Sequence, residues 1–154
     1  MGDAKVTIMA STLLEANPVA KSTAPHDSHI IHFPSGLLGF ERLRRFALIG
    51  RPQEAPFLWL EGQDDSKVAF IVVPPKDVAP DYRPDLSDAD VKFLGLTSPK
   101  DVLVLSIVTL HGHGRATINL KGPLVINART RVGQQVVPSN ASEYSAQHPL
   151  SVTA

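Results

Sequence analysis

The sequence predicts a mostly β, compact single-domain protein with an antiparallel, barrel-like sheet and one short helix near residues 87–94. Short apolar runs recur along the chain and end at glycine or proline, as strands joined by tight turns do. The longest run, Val102–Leu110, is almost wholly apolar and suits a strand buried on both faces. Because no helical segments alternate with these runs, a barrel or sandwich is favoured over a parallel α/β sheet.

Strands are predicted from Ile30 onward. The run 115–120 alternates between apolar and polar residues, which places Ala116, Ile118 and Leu120 on one face of a half-buried strand. In chain order the predicted strands are Phe46–Ile49, Phe57–Leu60, Ala69–Val73, Val102–Leu110 at the centre, Arg115–Leu120, Leu124–Asn127 and, as the last, Val132–Val137.

The helix is predicted where capping signals surround a short apolar segment. Ser87 can cap the free N–H groups, and Asp90 three residues later can reach back as the glutamate of a capping box does. Leu86 and Val91 occupy the positions of a hydrophobic staple, and Gly95 can end the helix in a left-handed conformation. We expect this helix to close one end of the β domain.

One domain is predicted over residues 29–150, because a chain of 154 residues is long enough to bury a core of its own. Residues 1–28 are predicted to form a polar, poorly ordered extension with a short strand at Val6–Met9, and residues 151–154 to form a C-terminal tail. The extension lacks the uninterrupted apolar segment of a signal peptide. No run approaches the ~20 apolar residues that a membrane span needs, so no membrane contact is predicted.

Charge and composition exclude several classes of function. Fifteen basic and fifteen acidic residues balance, so no overall field favours nucleic acid or an anionic membrane. The absence of cysteine excludes disulfides, thiolate catalysis and cysteine-based zinc sites. No motif places a serine, histidine and aspartate in the context of a catalytic nucleophile. We therefore predict no catalytic residues, no cofactor and no metal.

A histidine pair in His111-Gly112-His113-Gly114 leaves an alternative open. The two imidazoles would lie on the same side of an extended backbone and could share a metal. The protein would then be a small-molecule- or metal-binding β-barrel domain, or an enzyme, with His32 as a further ligand. A metal site needs more ligands with supporting hydrogen bonds, and no motif supplies them. A glycine-rich hairpin turn is the simpler interpretation.

Two charged runs also have simpler explanations than ligand binding. The aspartates between Asp81 and Asp90 lack the glycine and terminal glutamate of a calcium loop, and helix capping accounts for them. The arginines between Arg42 and Arg51 lack the interleaved aromatic residues of single-strand binders. A solvated turn is therefore favoured over direct binding of RNA.

The segment from Ile31 to Glu41, IHFPSGLLGFE, resembles the N-terminal signature of the flagellar assembly factor FliW family, I-x-F-x-x-G-[LI]-x-G-F-E. Gly122 departs from the family pattern, which more often has alanine there. Further matches follow in the family's order within residues 30–150, at Pro56-Phe57, Phe70-Ile71-Val72, Pro80-Asp81-Tyr82, Thr117–Asn127, Gly133–Val137, Tyr144 and His148-Pro149-Leu150.

The resemblance implies a binding protein without catalytic activity. Members of the family are cytoplasmic proteins that bind newly made flagellin and, once flagellin is exported, bind the translational repressor CsrA instead, which frees the flagellin message. The family fold is a mostly β, barrel-like domain, in agreement with the predicted strands. Nothing in the sequence demands more than a monomer.

The predicted partner-binding region comprises the turn from Phe33 to Glu41 and the loop Pro80-Asp81-Tyr82. Gly36 and Gly39 permit backbone angles that other residues resist, so apolar side chains can be presented on a tight turn. We expect Phe40 and Tyr82 to anchor a helix of flagellin or an edge of CsrA. The alternative is that these side chains fill the barrel. The predicted contact residues are Phe33, Leu37, Leu38, Phe40, Glu41, Pro80, Asp81 and Tyr82.

Overall fold

The computed structural model describes residues 29–65 and 67–150. The predicted extension with its strand at Val6–Met9 and the predicted tail lie outside the described residues. A helix, α1 (Asp88–Leu94), lies between the fourth and fifth strands. In chain order the strands are β1 (Ile30–His32), β2 (Arg45–Gly50), β3 (Leu58–Gly62), β4 (Ala69–Val73), β5 (Val102–Leu110), β6 (Ala116–Ile118), β7 (Leu124–Asn127), β8 (Val132–Gln135) and β9 (His148–Leu150).

Seven strands form a closed barrel in the order β4, β3, β2, β1, β8, β7 and β5, and β5 pairs again with β4. Neighbours in this ring are antiparallel, except that β1 and β8 run parallel where His32 faces Val132. Closure removes the free edges that an open sheet of the same strands would expose. The mostly β, barrel-like fold predicted from the sequence is confirmed.

Strand β5 pairs with three other strands. Its first residues, Val102–Leu105, pair with β7, and its last, Val108–Leu110, pair with β6. Its opposite edge pairs with β4 at Ser106–Val108. The prediction that this run is the central strand is confirmed. Beyond the ring, β6 carries β9 on its outer edge.

The barrel interior is one hydrophobic cluster to which strands around the ring contribute. Phe33 packs edge-on against Phe46 with ring centroids 5.6 Å apart, and Phe46 lies 6.2 Å from Phe70. Burying one such side chain contributes about 1.5–3 kcal/mol. The buried members of this interior cluster are Ile31, Phe33, Leu37, Phe46, Leu60, Val68, Phe70, Val72, Leu105, Ile107, Leu124 and Ile126.

Helix α1 covers an outer face of the barrel, whereas the sequence analysis expects it to close an end. Side chains alternate along β7, so Leu124 and Ile126 fill the interior while Val125 between them faces outward. Leu94 of α1 packs with Val125 and with Val136 after β8. The helix therefore buries the apolar side chains on the outer side of β7 and after β8.

The predicted caps of α1 are present in part. The Ser87 hydroxyl accepts a hydrogen bond from the Asp90 amide at 3.1 Å, and Gly95 ends the helix at a φ of 64°. The Asp90 carboxylate accepts a hydrogen bond from the Gln134 side chain at 3.2 Å. This hydrogen bond connects the helix to β8. The prediction that the Asp90 carboxylate reaches back to the N-terminal cap is therefore wrong.

The C-terminal strands differ from their predicted bounds. The predicted last strand, Val132–Val137, ends at Gln135, although the Val136 amide still donates to the Pro123 carbonyl at 3.0 Å. The chain then forms a further strand at His148–Leu150. This strand is not predicted from the sequence, because three residues around a proline carry no strand pattern.

The contact between Gly133 and the interior gives a test of the packing. A methyl group on Gly133 would lie 2.7 Å from Phe33 Cε1 and 2.9 Å from Ile126 Cγ1. We expect Gly133→Ala to lower the free energy of unfolding in urea by about 1–3 kcal/mol, as overpacking does. Gly112→Ala is the matched control, since nothing lies within 4 Å of its added methyl group. Equal effects of the two substitutions would contradict this packing.

Candidate partner-binding site

The turn from Phe33 to Glu41 has a backbone that depends on its glycines. Gly36 and Gly39 have φ angles of 68° and 85°, as the sequence analysis predicts. A Cβ on Gly36 would lie 2.6 Å from the Glu41 Cα, so the chain approaches itself too closely for a side chain. Leu37 and Phe40 form an isolated antiparallel bridge, in which the Phe40 amide donates to the Leu37 carbonyl at 2.7 Å.

The apolar residues of this turn divide between the core and the surface. Phe33 and Leu37 are buried in the interior cluster, and the half-buried Phe40 packs edge-on against Phe70 with centroids 5.2 Å apart. Leu38 points the other way and is 58% exposed. The turn therefore fills the barrel with three side chains and presents the fourth to solvent.

Gln135 holds the turn against the rest of the barrel. Its Oε1 accepts a hydrogen bond from the Leu38 amide at 2.9 Å, and its Nε2 donates to the Gly122 carbonyl at 2.9 Å. The Gly122 amide in turn donates to Asn119 Oδ1 at 3.0 Å. One side chain thus joins the turn, β8 and the β6–β7 loop, and we call this pair of hydrogen bonds the Gln135 bridge.

We define the Leu38 surface as three exposed side chains that lie close in sequence to the residues joined by the Gln135 bridge, namely Leu38, Glu41 and Val137. Val137 is 69% exposed and follows Gln135 by two residues. Because Val136 between them continues the pairing with β7, Gln135 and Val137 emerge on the same side of the chain. Glu41 Oε2 accepts a hydrogen bond from the Gly39 amide at 3.0 Å, which lowers the pKa of its carboxyl.

The Pro80-Asp81-Tyr82 loop belongs to a separate part of the molecule. Tyr82 is 2% exposed and packs with Ile118 and Leu150 on the outer side of the barrel, whereas the turn residues line its interior. Its hydroxyl donates to the Leu120 carbonyl at 2.8 Å. Burial, together with the adjacent Tyr144 ring at 4.6 Å, raises its pKa.

The predicted contact residues are therefore not brought together as one patch. Leu38, Glu41, Pro80 and Asp81 are exposed, whereas Phe33, Leu37 and Tyr82 lie in hydrophobic clusters and Phe40 is half-buried. That these residues contact a partner stays a prediction.

No role for Gln135, Gly122 or Val137 is predicted from the sequence. The signal for Gln135 and Val137 is the run Gly133–Val137 of the family pattern, and the signal for Gly122 is its departure from that pattern within Thr117–Asn127.

The histidine pair lies in the hairpin turn between β5 and β6, as the simpler interpretation predicts. His113 is exposed and has a φ of 62°, while His111 Nε2 lies 2.8 Å from Thr117 Oγ1. An open cavity of about 610 Å³ is lined in part by His111, Arg115 and Thr117. Across residues 29–65 and 67–150, no three side chains of histidine, aspartate or glutamate are grouped to hold a metal ion.

The arginine run is partly neutralised by neighbouring carboxylates. Asp64 Oδ2 accepts hydrogen bonds from the amides of Arg44 and Arg45 at 3.0 and 3.2 Å, which lower the pKa of its carboxyl. Arg45 Nε lies 3.4 Å from Asp64, and Arg51 lies 3.5 Å from Glu54. These contacts favour a solvated turn over a phosphate-binding surface.

In the part of the chain that the structure describes, no helix has the length and hydropathy of a membrane span.

Comparison with known proteins gives consistent matches over most of the chain. The sequence model of the FliW protein family matches residues 18–150. The flagellar assembly factor FliW of Leptospira biflexa is 41% identical over 110 residues, covering 70% of this chain and 72% of that protein. The flagellar assembly factor FliW of Thermotoga neapolitana is 39% identical over 127 residues, covering 81% and 85% respectively. A crystal structure of the flagellar assembly factor FliW matches with a TM-score of 0.74 at 30% identity, covering 84% of this chain and 90% of that one.

Removal of the Gln135 bridge should loosen the turn. In Gln135→Ala, the Leu38 amide loses its acceptor, and we expect its hydrogen exchange to become at least tenfold faster, with a loss of about 1 kcal/mol in stability. Gln134→Ala is the control, because Gln134 donates to Asp90 on α1. If the Leu38 amide exchanges equally fast in both variants, the bridge does not hold the turn.

The buried Tyr82 hydroxyl should make stability depend on pH in the alkaline range. An unfolded tyrosine loses its proton near pH ~10, and the raised pKa in the fold keeps Tyr82 protonated above that pH, so the free energy of unfolding falls as pH rises. Tyr82→Phe has no hydroxyl to titrate and so lacks this pH dependence, but it also loses the hydrogen bond to the Leu120 carbonyl. We expect its deficit relative to the parent protein to narrow above pH ~10 in urea titrations. If the free energy of unfolding of Tyr82→Phe stays below that of the parent protein by the same amount from neutral to alkaline pH, the pKa of Tyr82 is not raised in the fold.

Proposed function

This chain belongs to the FliW family, and we propose that it is a flagellar assembly factor that binds flagellin and, when flagellin is exported, binds the repressor CsrA instead. The family match over residues 18–150 carries the proposal. Relatives that cover more than two thirds of this chain are named flagellar assembly factors. The proposed role is that of a cytoplasmic binding protein and requires no catalysis.

The proposed switch works by mass action. A shared factor divides between its partners according to their free concentrations and affinities, so a fall in flagellin releases the protein to CsrA. CsrA held in this complex no longer represses the flagellin message. If the two partners use different surfaces, binding of each must weaken the other by the same factor.

We place the flagellin contact at the Leu38 surface. Leu38 and Val137 are two of the three large hydrophobic side chains that the described residues expose, and they flank the Gln135 bridge. An exposed apolar side chain on a turn fixed by hydrogen bonds can bind without a large loss of conformational entropy. This arrangement suits the apolar face of a helix, with the Glu41 carboxylate at the rim.

Titration calorimetry with flagellin and, separately, with CsrA tests this proposal. We expect both partners to bind, and Leu38→Asp to weaken flagellin binding at least tenfold, since it removes apolar area and places a charge in the interface. The affinity for flagellin should change little between two salt concentrations, because the contact is apolar and the chain has no net charge.

Phe93→Asp is the matched control. Phe93 is 51% exposed on α1 and lies outside the Leu38 surface. Its substitution likewise replaces an exposed apolar side chain with a carboxylate. An equal loss in both variants would show that the Leu38 surface is wrongly placed. Failure of the parent protein to bind either partner would contradict the proposed function itself.

A further inference from the structure

Within residues 29–65 and 67–150, strand β9 is the end of the sheet. Among the described residues it pairs with β6 alone, through Ala116 with Leu150, Thr117 with Pro149 and Ile118 with His148. An unpaired strand edge presents backbone N–H and C=O groups and can add a strand from another chain. The barrel avoids this hazard by closure, but β9 lies outside the closed ring.

The hydrogen bonds of β6 show which way the backbone groups of β9 point. The Arg115 carbonyl accepts from the His111 amide at 2.8 Å, and the Asn119 amide donates to the Ile107 carbonyl at 3.1 Å. Odd-numbered residues of β6 therefore face β5, and even-numbered ones face β9. The Leu120 amide, which donates to the Ser145 carbonyl at 3.0 Å, agrees with this alternation.

It follows that Pro149 faces away from β6. It lies opposite Thr117, whose backbone groups point to β5, so the pair is a non-hydrogen-bonded one in the antiparallel ladder. The backbone of Pro149 is therefore directed to the outer edge of β9, and a proline has no N–H to offer there. The next amide toward the N-terminus on this side, that of Gln147, donates to Ser145 Oγ at 2.9 Å.

We infer that the edge of β9 is closed to a second copy of this chain, because Pro149 offers no outward N–H and the Ser145 hydroxyl occupies that of Gln147, the next outward amide among the described residues. Pro149 is exposed, so its pyrrolidine ring is not explained by packing in the core. Pro149 and Ser145 leave the backbone groups of His148 and Leu150 available to β6. The blocked outer edge therefore does not weaken the pairing between β6 and β9. Partners of the protein must then bind through side-chain surfaces and not by strand addition at this edge.

The double variant Ser145→Ala/Pro149→Thr restores both donors in the full-length protein. We expect its weight-average mass, measured by light scattering after size exclusion, to rise with concentration toward roughly twofold that of the parent, as edge-to-edge pairing predicts. Ser98→Ala/Pro99→Thr is the matched control. Ser98 Oγ likewise accepts from the amide two residues on, that of Lys100 at 3.3 Å, but this pair lies in a 3-10 turn before β5.

Circular dichroism and thermal unfolding establish that both double variants are folded. Association of the Ser145/Pro149 variant beyond that of the parent and of the control supports the inference. A folded Ser145/Pro149 variant with the same mass as the parent at every concentration overturns it, as does equal association of the two double variants. None of these readouts depends on flagellin or CsrA, so the inference stands or fails separately from the proposed function.

Discussion

The pairing of β5 with three strands is the constraint on which the structure depends. Val102–Leu105 bonds to β7, Ser106–Val108 bonds to β4 on the opposite edge, and Val108–Leu110 bonds to β6. The contact with β4 closes the ring, and the contact with β6 carries β9 outside it. Both the sealed interior and, in the described part of the chain, the strand edge outside the ring thus originate in one nine-residue strand.

A closed barrel must also be filled, and the turn that fills it is the one that carries the candidate site. Phe33, Leu37 and Phe40 supply interior volume, and their positions leave Leu38 no place in the core. The hydrogen bonds of Gln135 then fix the exposed side chain on a rigid backbone. The turn that stabilises the core is therefore also the segment proposed to contact the partner. Glycines at positive φ let its neighbouring leucines point in opposite directions, Leu37 into the core and Leu38 to solvent.

The parts of the fold that depend on short stretches of sequence, namely most strands and the ends of α1, could be predicted. The strand pattern and the caps of α1 were read from short stretches, and the φ of Gly95 confirms the left-handed cap. The location of α1 and the separation of Tyr82 from the turn were not predicted, because both depend on contacts between segments distant in the chain. Gln135 was missed as a site residue for the same reason, since its partner at Leu38 lies 97 positions away.

A displacement measurement tests the proposal that this protein divides between flagellin and CsrA. Labelled CsrA, bound to the protein at a concentration near its dissociation constant, is titrated with unlabelled flagellin while fluorescence anisotropy is recorded. We expect the anisotropy to fall toward the value of free CsrA as flagellin is added, and each partner to weaken the binding of the other by the same factor in the two titrations. A stable ternary complex in which each partner binds with unchanged affinity would contradict it.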